Sequence, residues 1–278
     1  MRAAREPLAH DLATAHVLAV ERTRFDGAYH HHDALELTWI RDGAGVRVID
    51  GHVAPFGAGD VVVVPPQVPH VWWSRGDGAV ASARVLHLSM PAALAGLPEL
   101  RGLSGWLEPG ARAAVIGGAL RETVIAALDA LGRAQGLERL GVALALLGRV
   151  DRATTGVERL PPAARAASSP EDDRRLGPVL AWIHAAFDQP LTVAAGARRL
   201  SVAPSSFSRA FQRRVGRPFS VYVNDVRIAE ACLLLRQSAR PIAEIARRCG
   251  FPTLGHFHRQ LVRRTGLGPR DYRRAYGR

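Results

Sequence analysis

The chain has 278 residues, 47% of them hydrophobic and 22% charged, a globular composition long enough for two domains. No apolar run reaches the roughly 18 residues of a membrane span, and the N-terminal stretch lacks the apolar segment of a secretory signal. Two cysteines, Cys232 and Cys249, are too few for a disulfide framework. Every basic side chain is an arginine, and 20 of the 37 lie between 174 and 278 against 5 acidic residues, leaving 17 against 20 elsewhere. Arginine enrichment from genome composition would raise both halves and would not strip one half of acids. The asymmetry predicts a polyanion-binding module beside a near-neutral one.

Residues 1 to about 20 read as an N-terminal arm. From about 20 to 90 the pattern is one of short strands: LELTWI, VRVI, DVVVVP and ARVLHLSM, separated by turn signals such as Asp42-Gly43, Asp50-Gly51 and Gly57-Ala58-Gly59. Such spacing predicts a β-sandwich or barrel. Ala/Leu-rich helix follows over 111–150. Val115, Leu120, Val124, Leu128 and Leu131 approximate one stripe, and Leu140, Val142, Leu144, Leu146 and Leu147 make a second segment apolar on most faces. That second segment packs on the barrel or meets a second copy of itself. Residues 151–173 lack periodicity and are rich in Pro, Ser and Ala, the texture of a linker. Helical periodicity resumes at Leu176, Val179, Leu180, Ile183 and Phe187. The expected architecture is α+β and multidomain. An arm and barrel span 1–110, accessory or dimerisation helices 111–150, a linker 151–173, and an all-α basic domain 174–278.

The basic domain contains an internal repeat. Phe207-Ser-Arg209-x-Phe211-x4-Gly216 recurs as Phe257-His-Arg259-x-Leu261-x4-Gly266, offset by 50 residues. Upstream of each copy is a short helical segment with a central alanine, Ala197 or Ala246. Short helix, tight turn and second helix make a helix-turn-helix, with Gly250 suited to the second turn. Phe207, Phe211 and Val215, and likewise Phe257 and Leu261, form buried stripes. The opposite faces carry Ser205, Ser206, Ser208, Arg209, Gln212 and Arg213 in the first copy. In the second they carry Thr253, His256, Arg259, Gln260 and Arg263. Arginine binds phosphate or guanine, and Ser, Gln and His reach base edges, so these faces are candidate DNA contacts. A helical stretch from about Phe219 to Gln237 would hold the two units rigidly. Two recognition helices about 34 Å apart enter successive major-groove segments of one duplex face.

Over residues 176–276 this pattern resembles the DNA-binding domain of the AraC/XylS family of bacterial transcription regulators. The resemblance rests on Leu191-Thr192, Ala197, Phe207-Ser208-Arg209-x-Phe211, Gly216, Arg227-Ile228-x-x-Ala231-x-x-Leu234-Leu235, Ile242-x-x-Ile245-Ala246, Gly250-Phe251, Phe257-x-Arg259, Gly266 and Pro269-x-x-Tyr272-Arg273. It implies that Ser205, Ser208, Arg209, His256 and Arg259 stand at base-contacting positions. It also implies double-stranded promoter DNA, RNA polymerase and a second copy of the chain as partners, and a bacterial cytoplasmic protein that is nucleoid-associated when bound. Ala203 stands where the family has a serine cap, Gly196 where it has leucine, and Leu261 where it has phenylalanine. The first two are expected to weaken the first unit by about 1 kcal/mol each.

In the near-neutral half, His30-x-His32-x3-Glu36-x6-Gly43 precedes His70. His30, His32 and Glu36 share strand parity, as do His70 and Trp72. Three imidazoles and a carboxylate converging in a barrel make a divalent-metal site for Zn, Ni, Fe or Mn. The same histidines also suit the polar mouth of an organic-ligand pocket, with Trp39, Arg47, Trp72 and Trp73 as its walls and anchor. Residues 25–75 resemble the two motifs of the cupin fold, the second as Gly59-x5-Pro65-x-Gln67-x2-His70. Gln67 replaces the usual glycine, Ser74 the usual asparagine, and Arg24 the leading glycine of the first motif. The function expected from both halves is a sequence-specific regulator responding to a small molecule or metal, and not an enzyme. The alternatives are a metal-dependent cupin enzyme fused to a DNA-binding domain, and a constitutive DNA-binding protein whose barrel only dimerises.

Overall fold

A computed structural model describes residues 17–22, 29–74, 82–89, 97–108, 110–161 and 170–277. The expected arm therefore lies largely outside the described residues, as do residues 162–169 of the expected linker. Valine-rich and alternating segments form nine strands among the described residues. These are β1 (Val17–Arg22), β2 (Leu35–Asp42), β3 (Ala44–Ile49), β4 (His52–Gly57), β5 (Val61–Val64), β6 (His70–Ser74), β7 (Ser82–Leu88), β8 (Ala114–Ile116) and β9 (Val157–Arg159). One sheet runs β1-β7-β2-β5-β8-β9, and the other runs β4-β3-β6. The β3–β4 hairpin turns on Asp50 and Gly51, both with positive φ (50° and 74°), the combination a two-residue type I′ turn requires.

Period-two alternation sorts the strand residues into three layers. Ile40, Val62, Val64 and Val85 face Ile49, Phe56 and Trp72 between the sheets. Leu35, Leu37, Val61, Val63, Leu86 and Leu88 face outward from the larger sheet. They are covered by helices α1 (Gly118–Arg133) and α2 (Gly136–Arg152) through Val124, Leu128, Leu131, Leu146, Leu147 and Val150. Val46, Val48, Val53 and Val71 face outward from the smaller sheet, onto the helical half. Two sequence expectations change here. Val115 belongs to β8, not to the first helix. Val157–Arg159, inside the expected linker, pairs with β8 as an edge strand.

The helical half comprises α3 (Pro170–Ala185), α4 (Val193–Arg199), α5 (Pro204–Val215), α6 (Phe219–Gln237), α7 (Ile242–Arg248), α8 (Leu254–Thr265) and α9 (Pro269–Tyr276). Helix α6 is more than a connector. Tyr222, Val223, Val226, Ala229 and Leu233 join the core that contains α5 and the smaller sheet. Ile228, Ala231, Cys232 and Leu235 join the core of α7, α8 and α9. A helix apolar on all sides must be covered on all sides, and α6 meets this requirement by serving both helix-turn-helix units and the barrel.

Candidate metal centre and nucleic-acid interface

The structure brings His30, His32, Glu36 and His70 together, with one donor atom from each within 4.8 Å of the others. His32, Glu36 and His70 are buried, and His30 is half-buried. A backbone bridge between His30 and His70 joins the two segments. The carboxylate is the centre of the cluster. Glu36 Oε2 lies 3.0 Å from His32 Nε2, 3.0 Å from His87 Nε2 and 3.4 Å from His70 Nε2. The Thr38 hydroxyl donates to Glu36 Oε1. Burial by itself would raise the Glu36 carboxyl, but the imidazoles packed round it, His70 foremost and then His32 and His87, carry it well below its ordinary value.

His32 Nδ1 lies 3.0 Å from Ala34 O, and His70 Nδ1 lies 2.8 Å from Val68 O. A carbonyl only accepts, so each Nδ1 carries the proton. In the neutral imidazole Nε2 is then a lone pair. In that form both lone pairs face a carboxylate oxygen, an acceptor facing acceptors, and among the described residues His70 Nε2 is buried with no hydrogen-bond partner. A cation between them resolves that conflict, and backbone carbonyls that fix Nδ1–H are the usual outer support of metal-bound histidine. The donor set, three nitrogens and one oxygen, fits a divalent transition metal. His87, on β7 opposite Glu36, was not singled out from the sequence. It belongs to neither cupin motif, and only its parity with Val85 on an alternating strand places it inside.

The four residues expected to line an organic pocket do not share one environment, and Trp73 faces the helical half, stacked on His184. Trp72 lies inside, with its ring 5.3 Å from that of His70. Arg47 is also inward and buried, but its guanidinium is committed to Asp60 at 2.8 Å. Trp39 packs with Leu35 and Leu37 in the core under the helices, on the face of β2 opposite Glu36, so it is not a wall of the interior. Its odd position, against the even positions of Glu36 and Thr38, already separates it. Gln67 takes a positive φ of 62°, which explains the glycine usual there. Its backbone N–H donates to His32 O at 2.8 Å and its side-chain amide donates to Asp33. These bonds tie the two histidine segments together and offset a backbone strain of about 1–2 kcal/mol.

In the helical half, α4 with α5 and α7 with α8 form two helix-turn-helix units. The turns cover 200–203 and 249–253, and the left-handed residue is Ser201 in the first and Gly250 in the second. Thr192 and Thr253 cap α4 and α8, accepting from Ala195 N at 3.1 Å and His256 N at 3.2 Å. Ala203 begins α5 with no side-chain cap. Gly196 has a use the sequence did not reveal: a Cβ there would lie 2.4 Å from the Phe207 ring, so the glycine lets α5 seat against α4.

Phe207, Phe211, Phe257 and Leu261 are fully buried. Ser205, Arg209, Gln212 and Arg213 are exposed on α5, with Ser206 and Ser208 half-buried. Thr253, Arg259 and Arg263 are exposed on α8, with His256 half-buried. Each set lies on the solvent side of its helix. Other arginines of the basic half serve the fold. Arg227 donates to Phe187 O at 2.7 Å and Gln189 O at 2.9 Å, Arg273 to Arg240 O at 2.6 Å, and Arg214 is buried.

Two domain families match the chain: a helix-turn-helix domain over residues 197–275 and a cupin domain over residues 18–86. The HTH-type transcriptional activator RhaS of Klebsiella pneumoniae (strain 342) is 25% identical over 248 residues, 88% of this chain and 86% of that protein. The uncharacterized HTH-type transcriptional regulator YpdC of Escherichia coli (strain K12) is 33% identical over 105 residues, 38% of this chain and 37% of that one. Among solved structures, the DNA-binding domain of AdpA, a global transcriptional factor crystallised with a target DNA, matches at 28% identity and a TM-score of 0.36. That match covers 37% of this chain and 92% of the other. The chain thus carries a cupin domain ahead of an AraC-type helix-turn-helix domain and is homologous to RhaS and other AraC-family regulators.

Proposed function

We propose that this chain is a sequence-specific DNA-binding transcription regulator whose cupin domain senses a bound ligand, with a divalent metal as the first candidate. The observation that carries the reading is the pair of helix-turn-helix units built on one helix, α6, each with a polar, arginine-bearing face in solvent. Arg209 and Arg259 are the side chains best placed to read bases. Ser205, Ser206, Ser208, Gln212, Arg213, Thr253, His256 and Arg263 complete the contact to bases and phosphates. One chain then reads an asymmetric site of about two helical turns.

His30, His32, Glu36 and His70 would hold the metal. When bound, it supplies the positive charge that lets the four donors converge. His87 donates to Glu36 and keeps its carboxylate turned inward. Named regulators among the relatives support regulation over catalysis. Ligand binding controls DNA binding only through a difference in affinity between two protein arrangements. A second copy and RNA polymerase are the remaining partners of this reading, with a cytoplasmic location. Leu137 on α2, 83% exposed, supports pairing through that helix.

Selection of duplexes from a random pool by the full-length protein tests the proposal. Enrichment of one site about two turns long is expected. Retention of all sequences alike would overturn sequence-specific binding.

A further inference from the structure

The turn of the β3–β4 hairpin touches both helix-turn-helix units. A Cβ at Gly51 would lie 2.2 Å from Val215 O, at the C-terminal end of α5. His52 Nδ1 accepts from Arg217 at 3.2 Å, and its Nε2–H donates to Pro161 O at 2.8 Å. This is one consistent neutral tautomer. Val53 O accepts from Arg264, in the last turn of α8, at 2.7 Å. Arg217 and Arg264 also converge on Asp225 of α6, at 2.9 and 3.9 Å. Three successive residues of the barrel thus grip the ends of both recognition helices and engage two guanidinium groups beside the proposed DNA surface.

On the barrel side the same turn is one step from the histidine cluster. Ile49 is the register partner of His70, and Asp50 N donates to Pro69 O at 2.8 Å. Whatever fixes His70 therefore also fixes the base of the hairpin. Arg217 directly follows the glycine that ends α5, and Arg264 adjoins the exposed Arg263. Both side chains are long enough to turn to a phosphate once the hairpin withdraws.

We propose that the Asp50–Val53 turn is an autoinhibitory latch that withholds Arg217 and Arg264 from DNA phosphates, and that its release couples the barrel site to DNA affinity. The proposal rests on the reading of the chain as a DNA-binding regulator.

The test is the salt dependence of binding of full-length protein to a duplex of mixed sequence, since each phosphate neutralised adds about 0.9 to the slope of log affinity against log salt. Gly51→Ala forces the turn off Val215 and is expected to steepen the slope by about 1–2. Affinity in 0.1 M salt should rise about tenfold per arginine released. Gly51→Ala combined with Arg217→Gln and Arg264→Gln should return to the wild-type slope. His52→Ala adds no steric clash, removes the barrel's hold on Arg217 while leaving its pair with Asp225, and should steepen the slope by up to about 1. His52→Glu strengthens the hold on Arg217 and should not steepen it. Wild-type slopes in both Gly51→Ala and His52→Ala, with DNA still bound, overturn the latch alone. Failure of the wild type and every variant to bind duplex overturns the regulator reading and the latch together.

Discussion

His87 Nε2 lies 3.0 Å from Glu36 Oε2, and the two residues face each other across β2 and β7. Among the described residues His87 Nδ1 has no hydrogen-bond partner, so its proton is free to sit on Nε2 and be donated to the carboxylate. His32 and His70, by contrast, have Nδ1 tied to carbonyls. Of these three imidazoles round one carboxylate, two present lone pairs and one presents a donor. In the proposed metal centre His32 and His70 would therefore be ligands, and His87 the residue that positions Glu36.

Metal retention separates these roles. His32→Ala should abolish binding of Zn(II) or Ni(II) to purified protein, measured by elemental analysis and titration. His87→Gln should keep the ligands but weaken affinity by about 10–100-fold, the usual scale for an outer-shell partner. Equal loss in the two variants would contradict the distinction. A wild type with no metal affinity would remove the centre itself.

The domain contact carries a pH signature. His184 on α3 stacks on Trp73 of β6 with ring centroids 3.6 Å apart, and its Nε2 lies 3.0 Å from the Tyr222 hydroxyl. Burial lowers its pKa from 6.5 to about 3. Between those values the unfolded chain binds a proton that the native protein does not, so stability rises with pH there. The contribution is complete above about 6.5 and is lost as pH falls toward about 3, by up to about 1.4 kcal/mol per pH unit. Denaturant melts from pH 7 to 4 should show this slope, and His184→Phe should flatten it. An unchanged slope in the variant would assign the acid sensitivity elsewhere.

The two recognition helices differ in their N-caps. Thr253 caps α8, whereas Ala203 leaves α5 uncapped. Ala203→Ser should stabilise the protein and Thr253→Ala should destabilise it, each by about 0.5–2 kcal/mol in chemical denaturation. Destabilisation by Ala203→Ser would show that the backbone there cannot present a hydroxyl to α5.

The repeat, the boundaries of α6 and the buried stripes of α5 and α8 were legible in the sequence, because helical periodicity and a 50-residue offset are local signals. The convergence of His30, His32, Glu36 and His70 was legible from parity and motif spacing. What was not legible depends on long-range packing. Nothing near Val157 announces a strand; it is one because β8 offers an open edge. Gly196 looks like a weak helix residue until Phe207 is seen against it. Aromatic character alone makes Trp39 resemble a pocket wall, but its odd position on β2 puts it with Leu35 and Leu37 under the helices. The grip of Gly51, His52 and Val53 on the helical half joins residues more than 160 positions apart, and no local pattern encodes it.

Footprinting of the selected duplex by wild type, Arg209→Ala and Arg259→Ala tests the central claim most directly. The wild type should protect two successive major-groove segments on one face. Each variant should lose protection and about 1–3 kcal/mol of affinity at a different one of the two. A single protected segment, or identical footprints in all three proteins, would contradict the account.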